Sequence, residues 1–280
     1  MPTPVDITLP GANGIVLAGD AWGNPEDRSI LLSHGGGQTR HSWQGTAERL
    51  AALGWYVVSY DHRGHGDSDW SPDGCYKLDI HAADQAAAAR TFAQPPVLVG
   101  ASLGGLSALL AQGESTDALY RAIILVDITP HMNQQGTRAI MDFMENTQRE
   151  GFTTLEEAAA TIARYTGREK RVNPKGLEKN LRMGDDGRYR WHWDPQFLSL
   201  RGDASGQSER LAQATQQIAQ PIMLVRGRES NVVTQETAEQ FLALRPDARY
   251  VDVADAAHMV AGDRNEVFTD AVIEFIETLA

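Results

Sequence analysis

The chain has 280 residues, 42% hydrophobic and 22% charged, with a formal net charge of −12 at pH 7. This is an ordinary globular composition, enough for one large core or a core with a small subdomain, and the acidic balance argues against nucleic acid or an anionic membrane as partner, since both are bound largely through Lys and Arg. Cys75 is the only cysteine, the Met1-Pro2-Thr3-Pro4 start lacks the basic and apolar regions of a signal peptide, and no apolar run approaches the roughly 20 residues of a membrane span; a cytoplasmic protein without an intrachain disulfide is expected.

Val5 to Leu9 and Ile15 to Asp20, separated by the turn formers Gly11-Ala12-Asn13-Gly14, predict an antiparallel hairpin at a sheet edge. Strand-like runs follow at Ser29 to Ser33, Tyr56 to Tyr60, Pro96 to Val99, Ala122 to Val126, Ile222 to Arg226 and Arg249 to Val253, with amphipathic stretches between them. Most of these runs are continuously apolar rather than alternating, the pattern of parallel strands covered on both faces. The expected fold is therefore α/β, a doubly wound and mostly parallel sheet. From about Thr129 to Ala219 the alternation stops and the chain turns helical and polar. Residues 130–219 are read as an inserted helical lid on a core of 1–129 and 220–280. Its helical candidates are Gly136 to Thr147, Thr154 to Thr166, Pro174 to Leu181 and Gln207 to Ile218, with Gly/Asp interruptions near Met183 to Gly187 and Arg201 to Gly206. The stretch Arg188 to Trp193 is aromatic and left unassigned.

Two glycine-rich segments follow strands. Ser33-His34-Gly35-Gly36-Gly37 comes after Ile30-Leu31-Leu32, and Gly100-Ala101-Ser102-Leu103-Gly104-Gly105 comes after Pro96 to Val99 and before the helical run Leu106 to Ala111. The second is G-x-S-x-G between strand and helix, where small flanking residues let the helix pass close to the strand and Ser102 project as a nucleophile. The backbone N–H groups of Gly36 and Leu103 are the expected oxyanion donors, one such donor being worth on the order of 3 kcal/mol in the transition state. His34 is expected to stabilise its loop by hydrogen bonding.

With these motifs, Asp61-His62-Arg63-Gly64-His65-Gly66-Asp67-Ser68 and Ala256-Ala257-His258-Met259, the chain resembles the α/β-hydrolase superfamily over nearly its whole length outside the lid. In that family the Asp61 to Ser68 motif is a structural turn, and the His62-x-x-His65 spacing has no third ligand to make a metal site. The resemblance implies that His258, between the last strand and the helix Asn265 to Leu279, is the general base. The third member should be an acid between Ser102 and His258. The turn after Arg226 reads Gly227-Arg228-Glu229-Ser230, with serine in the register usually filled by aspartate, so the superfamily's alternative position, Asp127 after the preceding strand, is favoured and Glu229 held in reserve.

A Ser102–His258 pair beside an oxyanion hole implies acyl transfer, hence hydrolysis of an ester or lactone, with no metal or cofactor and a small-molecule substrate. Trp43, Trp191, Trp193 and Met132 are the expected contacts to an apolar substrate moiety, with Tyr189, Phe197 and Met141 also in the lid. A serine nucleophile excludes epoxide hydrolase and dehalogenase chemistry. Carbon–carbon bond hydrolases, cofactor-independent ring-cleaving dioxygenases and a non-catalytic ligand receptor share the fold and stand as alternatives.

Overall fold

The computed structural model describes residues 3–167, 173–199, 204–260 and 265–279. Its strands are β1 (Val5–Pro10), β2 (Val16–Trp22), β3 (Ser29–Ser33), β4 (Tyr56–Tyr60), β5 (Val97–Ala101), β6 (Ala122–Val126), β7 (Leu181–Met183), β8 (Tyr189–Trp191), β9 (Ile222–Gly227) and β10 (Arg249–Val253). Eight of them form one sheet in the order β1-β2-β4-β3-β5-β6-β9-β10. β1 and β2 are the expected hairpin, in register from Val5 opposite Ala21 to Pro10 opposite Val16, and β2 joins β4 antiparallel. From β4 to β10 every pair is parallel.

The helices are α1 (Gln44–Ala52), α2 (Leu78–Ala89), α3 (Leu103–Gly113), α4 (Gln134–Glu150), α5 (Leu155–Thr166), α6 (Ala204–Gln217), α7 (Gln235–Leu244) and α8 (Asn265–Glu277). They split the core in two. Trp43, Ala47 and Leu50 at α1 and Phe268, Val272 and Ile276 of α8 cover one sheet face through Ile30, Val57, Val99 and Ile124. On the other face Leu31, Leu98, Ile123 and Leu125 meet Ala82, Leu109, Leu211 and Phe241 from α2, α3, α6 and α7. Strands β5 and β6 are buried on both sides, which is why they read as unbroken apolar runs.

Between β6 and β9 the chain leaves the sheet, but over a shorter span than 130–219. The Gln207 to Ile218 helix, expected in the lid, lies along α3, with Leu211 and Ile218 in the main core and Arg210 paired to Asp79 and Glu114. A crossover between the parallel strands β6 and β9 requires a helix on that face, and α6 supplies it. Pro174 to Leu181 is likewise not one helix. A 3-10 segment, Pro174–Lys179, is capped by Asn173, and Leu181 then enters β7, which pairs with β8 across the Gly184 to Gly187 turn. The unassigned aromatic stretch is thus the second strand of a small hairpin, while the Arg201 to Gly206 interruption lies partly outside the described residues. Among the described residues no helix is long and apolar enough to cross a membrane.

Candidate active site

The carboxyl ends of the parallel strands gather the candidate residues on one edge of the sheet. Ser102 occupies the turn from β5 to α3 with φ 44° and ψ −113°, a strained conformation for a residue with a side chain. The turn is this tight because α3 starts almost against β3: a Cβ on Gly104 would sit 2.4 Å from the Ser33 carbonyl oxygen. Ser102 N–H reaches the Val126 carbonyl at 3.4 Å, which puts it beside the end of β6. Asp127 is the next residue there, fully buried and also at positive φ (49°).

His258 Nδ1 lies 2.8 Å from Asp127 Oδ2. The carboxylate takes two further donors, Gly227 N–H on Oδ1 at 2.9 Å and the Ser230 hydroxyl on Oδ2 at 2.5 Å. A carboxylate can only accept, so His258 donates to it from Nδ1, as the other two groups donate from Gly227 and Ser230. Glu229, the reserve acid, is exposed on the same turn, its N–H bonded to the Ala256 carbonyl.

The loop after β3 is held by its own side chains. Gly35 N–H donates to Gln38 Oε1 at 2.9 Å and Gly37 N–H to His65 Nε2 at 3.0 Å. Between them, the N–H of Gly36 has no protein acceptor among the described residues, nor has that of Leu103 at the first turn of α3. A Cβ on Gly36 would come within 2.9 Å of Phe197 and 4.0 Å of the Leu103 Cβ, so glycine is what lets these groups meet. His65 donates from Nδ1 to the Arg63 carbonyl, and His34 from Nδ1 to that of Gly35 while its Nε2 receives His62 N–H. His34 thus stabilises its loop as expected. The Asp61 to Ser68 turn is scaffold: Arg63 grips Asp84 with two bonds of 2.6 and 2.7 Å, and Asp61 binds the Arg40 N–H and guanidinium.

His34, His62, His65 and His81 are all fully buried. Burial disfavours their charged forms, and nearby positive charge adds to it, from Arg40 and His41 on His34 and from neighbouring histidines on the other three; His34 is held near pKa 4 and His65 near 3, and His62 and His81 are pushed well down. In the unfolded chain they would titrate near 6.5. Below that pH the unfolded state binds protons that the folded state refuses, so stability falls as pH drops from about 6.5 toward 4, by up to about 1.4 kcal/mol per histidine per pH unit. Urea midpoints at pH 7, 6 and 5 are expected to decline steeply; a midpoint constant over that range would contradict this.

The expected substrate contacts divide. Trp193 is buried beside the loop, its Nε1 3.7 Å from where a Gly37 Cβ would be, in a cluster with Tyr76, Met144 and Phe197. Trp191 borders that cluster, its Nε1 donating to Thr147 at 2.8 Å. Met132 leans on the main core. Trp43 is a correction: it is 2% exposed and packs on Phe268 in the core beneath α1 and α8, because its segment turns inward to begin the helix. Composition alone did not reveal Ser230 as a partner of Asp127, Met144 as a neighbour of Gly37, or Gln85, which bonds both Ser33 Oγ and the Gly104 carbonyl and so ties the loop to the elbow. A single glutamine inside the alanine-rich run Ala82 to Ala89 was the one available signal for the last.

Comparison with known proteins agrees with this architecture. The profile of the alpha/beta hydrolase family matches residues 30–271. Esterase Rv0045c of Mycobacterium tuberculosis is 30% identical over 268 residues, 92% of this chain and 85% of that protein. The 2-(acetamidomethylene)succinate hydrolase of Mesorhizobium japonicum is 29% identical over 231 residues, 79% of this chain and 78% of that one. The crystal structure of E-2-(acetamidomethylene)succinate hydrolase superposes with a TM-score of 0.82 at 25% identity, covering 98% of this chain and 100% of the other.

Proposed function

The chain belongs to the alpha/beta hydrolase family, and we propose that it is a serine hydrolase of neutral esters or lactones with an apolar acyl group. The reading is carried by the 2.8 Å hydrogen bond between His258 and the buried Asp127 on the sheet edge that also bears the Ser102 elbow. Ser102 is the nucleophile. His258, oriented through Nδ1 by Asp127, takes the Ser102 proton on Nε2 and returns it to the leaving alkoxide; water then repeats the exchange to release the acid. The free N–H groups of Gly36 and Leu103 receive the oxyanion, at positions fixed before substrate arrives. The segment between β6 and α6 serves as the cap, since Met144 of α4 and Phe197 from the 3-10 segment Pro195–Ser199 reach the glycine loop.

The preference for a neutral substrate follows from that lining. The side chains nearest to where a Cβ on Gly36 or Gly37 would stand are Phe197, Leu103, Met144 and Trp193, none of them charged, and the His65 ring that accepts the Gly37 N–H is fully buried. A carboxylate placed there would lose its hydration without gaining a cation. We expect p-nitrophenyl butyrate to be turned over with a kcat/KM roughly hundredfold above that of mono-p-nitrophenyl succinate. Equal rates would remove the apolar-pocket argument and bring the specificity nearer to the succinate-derived substrate named for the Mesorhizobium relative.

The reading as a whole is tested by incubating the protein with a fluorophosphonate and a panel of short and medium p-nitrophenyl esters, locating the label by peptide mass. Labelling at Ser102 with turnover is the expected result. Labelling without turnover would transfer the proposal to carbon–carbon or ring-cleaving chemistry, and no labelling would refute the nucleophile.

A further inference from the structure

We propose that Ser230 is a positioning residue that holds Asp127 against His258; the proposal rests on the hydrolase reading above for its kinetic consequence but not for its geometry. Ser230 is 7% exposed and stands on the turn after β9. Its Oγ accepts the N–H of Val232 at 3.1 Å and of Val233 at 3.2 Å. Both lone pairs of the hydroxyl are thereby used, so its single proton is committed to the one remaining neighbour, Asp127 Oδ2 at 2.5 Å. That oxygen is the one His258 Nδ1 binds. One carboxylate oxygen therefore receives two donors of opposite origin, one from a turn and one from the base.

The turn that presents the hydroxyl is itself clamped. Ser230 N–H bonds the Gly227 carbonyl, Asn133 N–H bonds that of Val232, and Arg226 Nε donates to that of Val233 at 2.7 Å. Gly136 at the start of α4 lies so close to Asn231 that a Cβ there would be 2.0 Å from its carbonyl oxygen. Without the hydroxyl, the carboxylate would keep the Gly227 N–H on Oδ1 but have only His258 on Oδ2. The torsion about its terminal bond is broad, so the plane of the acceptor, and with it the imidazole, would lose its fixed orientation. Asp127 supplies the charge, and Ser230 its direction.

The test compares Ser230→Ala and Ser230→Thr with the unaltered protein. The proton on His258 Nδ1 gives a low-field NMR resonance, assigned by its loss in His258→Gln and observed without substrate. We expect Ser230→Ala to displace or broaden this resonance and to lower kcat roughly tenfold at unchanged KM, the kinetic equivalent of one charge-assisted hydrogen bond. Ser230→Thr, which keeps the hydroxyl, should restore both. If the alanine variant does not fold, Ser230→Cys, similar in size but a weak donor, carries the same comparison. A resonance and kcat indistinguishable from the unaltered protein would overturn the proposal. Absence of ester turnover in the unaltered protein would sink the hydrolase reading alone, and the resonance would still decide Ser230.

Discussion

Replacing Ser102 with alanine is expected to lower ester turnover by about six orders of magnitude and to abolish labelling by a fluorophosphonate. The size of the effect comes from what the remaining groups can do alone. Without the Ser102 hydroxyl, His258 could only activate water, which lacks the fixed position that the elbow gives the serine oxygen. The proposed oxyanion donors Gly36 and Leu103 remain, so a residual rate of about 10³-fold over the uncatalysed reaction should survive. The variant should fold, because the side chain at 102 adds nothing to the buried core and alanine tolerates the site no worse than serine. Full labelling of the variant would remove Ser102 from the mechanism, whatever its rate.

Changing Asp127 to asparagine should cost about four orders of magnitude in kcat, far more than Glu229→Gln. All three groups around Asp127 are donors: Gly227 N–H, Ser230 O–H and His258 Nδ1. An amide has one acceptor atom where the carboxylate has two. Its NH₂ must then face either the backbone N–H of Gly227 or His258, and the second choice forces the imidazole into the tautomer whose Nε2 carries a proton and cannot take one from Ser102. Glu229 is exposed, and the acid that His258 Nδ1 meets is Asp127, so the amide variant of Glu229 should retain most activity. Rates ranked the other way would move the acid to Glu229.

What could be read along the chain was what depends on near neighbours. The parallel strands showed as apolar runs because both of their faces are buried, and the β1–β2 hairpin showed as two β-branched runs around a turn because its partner lies a few residues away. The Ser102 elbow was legible for the same reason: strand, glycine, serine, glycine and helix are contiguous, and the strain of the turn is local. The α6 helix was readable as a helix but not as part of the core, since its periodicity says which face is apolar and not whether α3 or a cap will cover it. Trp43 and Trp193 are equivalent as letters near glycine-rich or aromatic segments; one is packed on Phe268 and the other beside Gly37.

The sequence by itself determined the fold class, the glycine-flanked turn at Ser102 and the place of His258 after the last strand of the sheet, because each rests on a periodicity or a motif within a few residues. Only the tertiary structure decided which acid meets that histidine and what steadies it. Asp127 and His258 are 131 residues apart and Asp127 and Ser230 are 103 apart. Contacts over such separations are set by the order β5-β6-β9-β10 across the sheet, which brings the ends of these strands together and which no local pattern of residues encodes.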